Sequence, residues 1–164
     1  MKEISIRTME EKDLISVQRV ACITWHEAYH FLLSKEERDE YLQRAYSEER
    51  LGNYLKEGLH FVAEQNEMVI GFAGFFRQDM INSWLVAMFV LPEYQNLGAG
   101  KALFQAGKSA LIGMEALLVE VEQENKPALS FYEHIGFEKV KEDSITFPSR
   151  KEVKTHILKY SLLS

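Results

Sequence analysis

The 164-residue chain has little of several features that define whole classes of protein. Cys22 is the only cysteine, so an internal disulfide is impossible and the cytoplasm, a reducing compartment, is the expected location. No apolar run approaches the roughly 20 residues of a membrane span, and no signal peptide is evident, so no membrane partner is expected. The formal net charge of −6 argues against nucleic-acid binding, which needs a basic face.

What remains is consistent with one α/β domain over residues 1–164, with no repeat and no low-complexity segment. The spacing of apolar residues predicts strands at 3–8, 60–64, 68–76, 85–91, 116–122, 137–141 and 152–160. It predicts helices at about 8–31 (capped by Thr8), 34–45, 47–57, 98–113 and 126–135. The strands up to 91 are expected to pair antiparallel, and the strand at 116–122 is expected to run parallel to 85–91 through a crossover helix.

The stretch 87–110 predicts a phosphate-binding loop between a buried strand and a helix. Pro92 removes a backbone donor and ends the strand. Gly98 can adopt positive φ without strain, and Gly100 has no Cβ to keep a ligand away from the backbone. The first amides of the following helix lack intrahelical acceptors and, with the helix dipole, favour an anion such as a pyrophosphate.

Two better-known phosphate loops do not fit these residues. A Walker A loop needs a glycine where Gln95 stands and a hydroxyl where Ala102 stands. The dinucleotide fingerprint needs a third glycine where Leu103 stands, and no acidic residue follows at the ribose distance. The loop therefore belongs to another class.

Two blocks of the chain together resemble the GCN5-related N-acetyltransferase superfamily. The first block is carried by Val90, Pro92, Tyr94, Gln95, Gly98 and Gly100. The second runs over residues 121–137 and has its Asn125, Ala128, Phe131-Tyr132 and Gly136-Phe137 elements in register. The two blocks cover about a third of the chain.

The resemblance implies a mixed, mostly antiparallel sheet of six to seven strands, with helices on both faces and a splay between two central parallel strands. It implies acetyl-CoA as co-substrate, no metal, and direct attack of a primary amine in a ternary complex. A small amine is the expected partner, and the Trp25-to-Tyr29 and Tyr41-Leu42 segments weakly resemble bacterial PaiA-type polyamine acetyltransferases. The alternatives are a protein or peptide amine as acceptor, or a non-catalytic acyl-CoA sensor. The oligomeric state stays open, a homodimer included.

The resemblance also implies individual roles at the site. Tyr132 is expected to donate a proton to the departing thiolate, since a phenol is protonated at neutral pH. Asn125 is expected to hold the pantetheine or to cap the following helix. The residues expected to contact acetyl-CoA are Met88, Phe89, Val90, Gln95, Asn96, Leu97, Gly98, Ala99, Gly100, Lys101, Asn125 and Tyr132.

The general base is not identified from the sequence. Many relatives carry an acidic residue on the strand before the loop, where this chain has Val86. The candidates elsewhere are Glu120, Glu122, His26 and Glu64, and a water chain without a single base is an equal alternative.

Two further groups of residues allow a functional and a structural interpretation. Cys22, His26 and His30 would align on a helix, but no fourth metal ligand and no orienting acid is evident, which favours a buried cysteine with two partly exposed histidines. The acidic residues and a tyrosine around the second and third helices could attract a polyamine or lysine, although a solvated helix face is the favoured interpretation. These residues are Glu37, Asp39, Glu40, Tyr41, Glu48 and Glu49.

Overall fold

The structure, a computed structural model, describes residues 3–163, and the strands in that range form one seven-stranded sheet. The strands are β1 (Ser5–Thr8), β2 (Leu59–Gln65), β3 (Met68–Arg77), β4 (Asn82–Val90), β5 (Ala116–Glu122), β6 (Glu138–Thr146) and β7 (Glu152–Ser161). The helices are α1 (Leu14–Tyr29), α2 (Lys35–Ala45), α3 (Glu48–Lys56), α4 (Ala99–Ala110) and α5 (Lys126–Ile135). Short 3₁₀ turns occupy Glu11–Asp13 and Pro92–Tyr94.

The two central strands of the sheet run parallel and separate along their length. The strand order is β1-β2-β3-β4-β5-β7-β6, and every neighbouring pair except β4 and β5 is antiparallel. The parallel pairing covers only Asn82–Trp84 against Ala116–Leu118. The remainder of β4 and β5 forms no pairs with each other, which confirms the expected splay and the mostly antiparallel sheet.

Helices cover both faces of the sheet. On β3, Phe75 packs against α4, where a Cβ at Gly107 would lie 2.1 Å from the ring. Phe72 faces the other way and contacts Tyr46, which follows α2, with ring centroids 6.2 Å apart. Because alternate strand residues point to opposite faces, α4 lies on one side of the sheet and α1 to α3 lie on the other.

The start of the first helix differs from the sequence prediction. Thr8 does not cap it, because Thr8 still pairs with Phe61 as the last residue of β1. A 3₁₀ turn intervenes, and Glu10 and Asp13 form a reciprocal capping box there. Arg7 fixes this corner with an Nη1–Oδ2 distance of 2.7 Å to Asp13, whose pKa it holds below the ordinary value. The prediction that Thr8 caps the helix is therefore wrong.

The closing hairpin is longer than the prediction of 137–141. The strand β6 continues to Thr146, and Ile145 pairs with Val153 of β7. Most side chains of β6 are exposed, so the sequence there lacks the apolar alternation that marks a half-buried strand. The extension comes from pairing with β7, which a periodicity argument does not detect.

No helix within residues 3–163 combines the length and the hydropathy needed to cross a bilayer.

Candidate active site

Helix α4 begins at a loop that leaves its first amides free. Gly98 precedes the helix with a φ of +92°, the left-handed conformation that the sequence analysis expects of it. The first helical hydrogen bond runs from the Ala102 N–H to the Gly98 carbonyl, 3.0 Å. The amides of residues 99–101 therefore lack intrahelical acceptors and, with the helix dipole, favour a bound anion.

Three other helices show how this chain caps a helix start. The side chains of Ser34, Ser47 and Asn125 each accept a hydrogen bond from a backbone N–H in the first turn that follows. Gly98 has no side chain to do this, and the first turn of α4 holds no acidic residue. Within residues 3–163, the α4 amides are thus left for an acceptor from outside the chain.

The rest of the loop is exposed and partly held by its own contacts. Gln95 Nε2 donates to the Val90 carbonyl at 2.9 Å, so this side chain fixes the end of β4. Asn96 has a φ of +65°, which asparagine tolerates better than most residues. Leu97 and Lys101 are exposed, whereas Ala99 is buried under the helix start. The predicted loop residues therefore surround one helix terminus.

Packing also favours a glycine at position 100, which the sequence alone did not indicate. A Cβ at this position would lie 3.1 Å from Cζ of Phe131, which belongs to α5, and 3.8 Å from Sδ of Met88. The start of α4, strand β4 and helix α5 therefore meet at Gly100. This contact joins the predicted phosphate loop to the helix that carries Tyr132.

The edge of β4 that faces the splay presents unpaired backbone groups. The Leu91 N–H donates to the Ile70 carbonyl on β3 at 2.8 Å. Hydrogen bonding alternates along an antiparallel strand, so the backbone groups of Phe89 also face β3 and those of Met88 and Val90 face the splay. Of the three predicted strand residues, Met88 thus offers a backbone donor and acceptor there, and Val90 offers its N–H, since its carbonyl already accepts from Gln95.

Tyr132 on α5 has a buried ring and a hydroxyl without a partner. The side chain is 7 % exposed and packs against Phe131 and Phe137, with both centroid distances 5.3 Å. Its hydroxyl forms no hydrogen bond with any residue in 3–163. Burial, followed by the nearby Glu122 carboxylate, raises the pKa of Tyr132 well above its ordinary value. The group is therefore protonated at neutral pH and free to donate to a ligand.

Strand β5 carries two of the candidate bases, Glu120 and Glu122. Glu122 is buried and accepts a hydrogen bond from the Tyr29 hydroxyl at 3.1 Å. Desolvation by burial raises the pKa of Glu122. Glu120 accepts a 2.6 Å hydrogen bond from the Thr155 hydroxyl. Both side chains thus have a hydroxyl partner, and Glu122 is the one whose charge reaches Tyr132.

The other two candidate bases each have a charged or polar partner of their own. Glu64 on β2 is bound by Arg7 at 2.7 Å. His26 Nε2 lies 3.2 Å from Oδ1 of Asp39, so α2 supplies the orienting acid that was not evident in the sequence. Cys22 is exposed, which makes the expectation of a buried cysteine wrong. His30 is held by the Glu27 carbonyl instead.

The sequence candidates do not assemble a metal site in the described part of the chain. No group of three His, Cys, Asp or Glu side chains within residues 3–163 is arranged to hold a metal ion. Asn125 serves as the cap of α5, accepting from Ala128 N–H at 3.2 Å, which confirms one of its two predicted roles.

A cavity of about 70 Å³ lies on the face of the sheet that α1 to α3 cover. Its lining includes Tyr41, Tyr46, Tyr54, His60, Phe72 and Val86. The described residues that line it include no carboxylate. Burial raises the pKa of Tyr41 to about 12 and that of Tyr46 well above its ordinary value, so these phenols stay neutral. The cavity is thus an apolar chamber with hydroxyls and one imidazole.

The acidic residues of α2 form surface contacts and do not line this cavity. Asp39 pairs with Lys35 at 2.8 Å and Glu40 with Arg44 at 3.5 Å. Glu37 accepts from Ser149 at 2.5 Å, which links α2 to the loop before β7. These contacts agree with the solvated-face interpretation favoured from the sequence.

The residues that sequence reasoning missed are His60 and Tyr46, both of which line the cavity.

Comparison with known proteins gives the class and the family of this chain. The family model described as Acetyltransferase (GNAT) domain matches residues 56–139, from the end of α3 to the start of β6. The chain belongs to this family and is an acetyltransferase.

Relatives of this chain differ in the acceptor that their names state. A spermidine N(1)-acetyltransferase of Thermoplasma acidophilum is 24% identical over 165 residues, covering 93% of this chain and 99% of the relative. An N-alpha-acetyltransferase of Sulfurisphaera tokodaii is 27% identical over 154 residues, covering 85% and 83%. The solved structure of PaiA N-acetyltransferase from T. acidophilum in complex with coenzyme A superposes with a TM-score of 0.85. It has 22% identity and covers 97% of this chain and 99% of that one.

Proposed function

We propose that this chain binds acetyl-CoA and transfers its acetyl group to a primary amine by direct attack in a ternary complex, without an acyl-enzyme. The observation that carries the proposal is the convergence at Gly100 of a helix start with free amides, a splayed strand and the helix of Tyr132. Acetyl-CoA supplies the activated thioester, and each of these elements matches one part of it.

The phosphate end of acetyl-CoA fits the α4 start. The amides of Ala99, Gly100 and Lys101 have no acceptor within the described chain, and a pyrophosphate supplies the negative oxygens that such donors favour. The pantetheine arm carries amides, which can pair with the backbone of Met88 and Val90 at the splay. Strand-like pairing there would orient the thioester without any side chain.

The departing sulfur needs a proton, and Tyr132 is the donor this site offers. Its hydroxyl has no protein partner within residues 3–163, and its pKa is raised by burial, so it carries its proton at neutral pH. As the amine nitrogen bonds to the carbonyl carbon and the carbon–sulfur bond breaks, the phenol protonates the thiolate. A backbone N–H at the splay would stabilise the developing oxyanion.

The cavity beside β4 is where we place the acceptor amine. Its tyrosines offer aromatic faces and hydroxyls to an ammonium group, whereas its lining lacks the carboxylates that a multiply charged polyamine would recruit. A small monoamine fits this lining. A peptide amine is the second candidate, since an Escherichia coli relative is named a peptidyl-lysine N-acetyltransferase. Polyamines stay in the test because the Thermoplasma relative is named for spermidine.

The test is thiol release from acetyl-CoA with a panel of amines: alkylamines, spermidine, spermine, lysine, a peptide N-terminus and an aminoglycoside. The parent is compared with Tyr132→Phe. A matched control is Tyr160→Phe, since the Tyr160 ring packs on the same Phe137 at 5.5 Å. We expect Tyr132→Phe to lower kcat by about 10²-fold or more, with little change in acetyl-CoA affinity.

Other outcomes contradict the proposal. Equal losses in Tyr132→Phe and Tyr160→Phe would assign Tyr132 to packing. Tight acetyl-CoA binding with no acetylated amine would favour a sensor. Failure to bind acetyl-CoA would remove the assignment of the α4 start.

A further inference from the structure

The strand position at which the family resemblance implies an acid is a bulge in this chain. Gly74 pairs with Ala87 and Phe75 pairs with Leu85, so Val86 is an extra residue without a partner on β3. Its side chain is 50 % exposed and lines the cavity in which we place the acceptor. A valine cannot take a proton, so a general base at this place would have to come from another residue.

His60 reaches the same place from β2, across the intervening strand. It pairs with Gly74 on β3, where a Cβ would lie 2.9 Å from His60 Nδ1 and 3.6 Å from a methyl carbon of Val86. The imidazole therefore lies over Gly74, which has no side chain to block it, and its Nδ1 side is directed toward the bulge. Any other residue at position 74 would collide with the ring.

The backbone fixes which ring nitrogen of His60 holds the proton. His60 Nε2 lies 2.7 Å from the carbonyl oxygen of Glu57, and a carbonyl can only accept. The neutral ring thus carries its hydrogen on Nε2 and has its lone pair on Nδ1, on the side of Gly74 and Val86. A proton acceptor is thereby presented to the cavity.

Apart from one guanidinium, the groups around the ring are aromatic. Tyr54 of α3 and Phe76 of β3 stand edge-on to it, with centroids 6.3 Å and 5.6 Å away. Arg50 lies over the Tyr54 ring at 5.6 Å, and the buried phenols of Tyr41 and Tyr46 face the same cavity. Of the side chains that line this cavity, an imidazole is the type that most often serves as a general base.

We propose that His60 is the general base of this acetyltransferase and takes the place of the strand acid that Val86 replaces. This inference rests on the proposed function. The incoming ammonium passes one proton to His60 Nδ1, directly or through one water, and the free nitrogen then attacks the thioester carbonyl. The carbon–nitrogen bond forms, and the nitrogen loses its second proton to solvent as the carbon–sulfur bond breaks and Tyr132 protonates the sulfur. Solvent removes the proton from His60 and restores that of Tyr132.

The experiment measures kcat/KM for the best amine as a function of pH in matched variants. His60→Gln keeps a donor for the Glu57 carbonyl but cannot act as a base, and His60→Ala removes both functions. His30→Ala is the matched control, because this exposed imidazole also contacts a carbonyl three residues earlier, that of Glu27 at 2.9 Å. Acetyl-CoA affinity and thermal unfolding are recorded for every variant.

We expect both His60 variants to lose about 10²-fold or more in kcat/KM at neutral pH. The part of the pH profile of kcat/KM that depends on His60 as a base should also disappear. Acetyl-CoA affinity and the His30→Ala profile should match the parent. Adding Val86→Glu to His60→Ala should restore part of the lost rate, because it returns a carboxylate to the same side of the cavity.

Two results would overturn the inference alone. One is a His60→Gln variant with the parent's pH profile. The other is a loss confined to KM for the amine, with no rescue by Val86→Glu. In both cases a parent that still acetylates amines would leave the proposed function standing. A parent that acetylates no amine would remove the proposed function and this inference together.

Discussion

Replacing Gly98 with alanine tests whether the start of α4 binds the phosphates. Gly98 has a φ of +92° and no atom within 4 Å of where a Cβ would stand, so the added methyl meets no steric conflict. Its cost is conformational: an L-residue in the left-handed region loses roughly 1–2 kcal/mol. The smaller entropy of the unfolded alanine chain offsets about 0.4–1 kcal/mol of the effect on stability.

The loop around Gly98 is exposed, so we expect the strain to be relieved by movement of this loop. That movement turns the free amides away, and ligand binding must then restore the left-handed conformation. A cost of about 1–2 kcal/mol corresponds to acetyl-CoA affinity weaker by roughly 5- to 30-fold, since about 1.4 kcal/mol is tenfold. Gly98→Asn should weaken binding less, because asparagine tolerates this conformation better.

Gly113→Ala provides the matched control. Gly113 has a φ of +83° and the same open surroundings, but it lies beyond the other end of α4. Calorimetric titration with acetyl-CoA should show weaker binding for Gly98→Ala and parental binding for Gly113→Ala, with both unfolding temperatures within a few degrees of the parent. Equal affinities in all three proteins would refute the assignment of the phosphate site.

Three further substitutions test the packing and the charges around the site. Gly107→Ala should destabilise by about 1–3 kcal/mol in denaturant unfolding, because the methyl would lie 2.1 Å from the Phe75 ring; a parental midpoint would contradict this. Asn125→Ala should cost about 0.5–2 kcal/mol by removing the cap on the Ala128 N–H, measured in the same way. Glu122→Gln tests whether the raised pKa of Glu122 makes the stability of the fold depend on pH. Burial raises the pKa of Glu122 above 4.5, so the folded state binds the extra proton and stability falls as pH rises from that value. The free energy of unfolding, measured across pH, should fall less steeply in the variant than in the parent. Identical slopes in the two proteins would contradict a raised pKa for Glu122.

Much of the fold followed from local patterns that the structure preserves. The Gly98 and Gly136 turns were predictable because only glycine adopts those positive φ values without strain. The splay was predictable only through the resemblance, because strand separation leaves no periodic signal. The start of α1 was not predictable from Thr8, since the ion pair between Arg7 and Asp13 decided it.

The candidate active site was less accessible to sequence reasoning. Tyr132 and Asn125 stand in the block that carries the family resemblance, so the resemblance was enough to single them out. His60 and Val86 are 26 positions apart in the chain, and only strand order and the bulge bring them together. The usable signal in the sequence was Gly74, because a glycine within a strand indicates that another group approaches the backbone closely. The sequence does not show that this group is His60.

The most direct test of the central claim follows a labelled acetyl group. The protein is incubated with acetyl-CoA labelled in the acetyl carbons and with the amine panel, and each amine is analysed by mass spectrometry. We predict labelled acetyl on the nitrogen of a primary amine, in an amount equal to the thiol released. Label that stays on coenzyme A, or appears only as free acetate with every amine, would contradict the account.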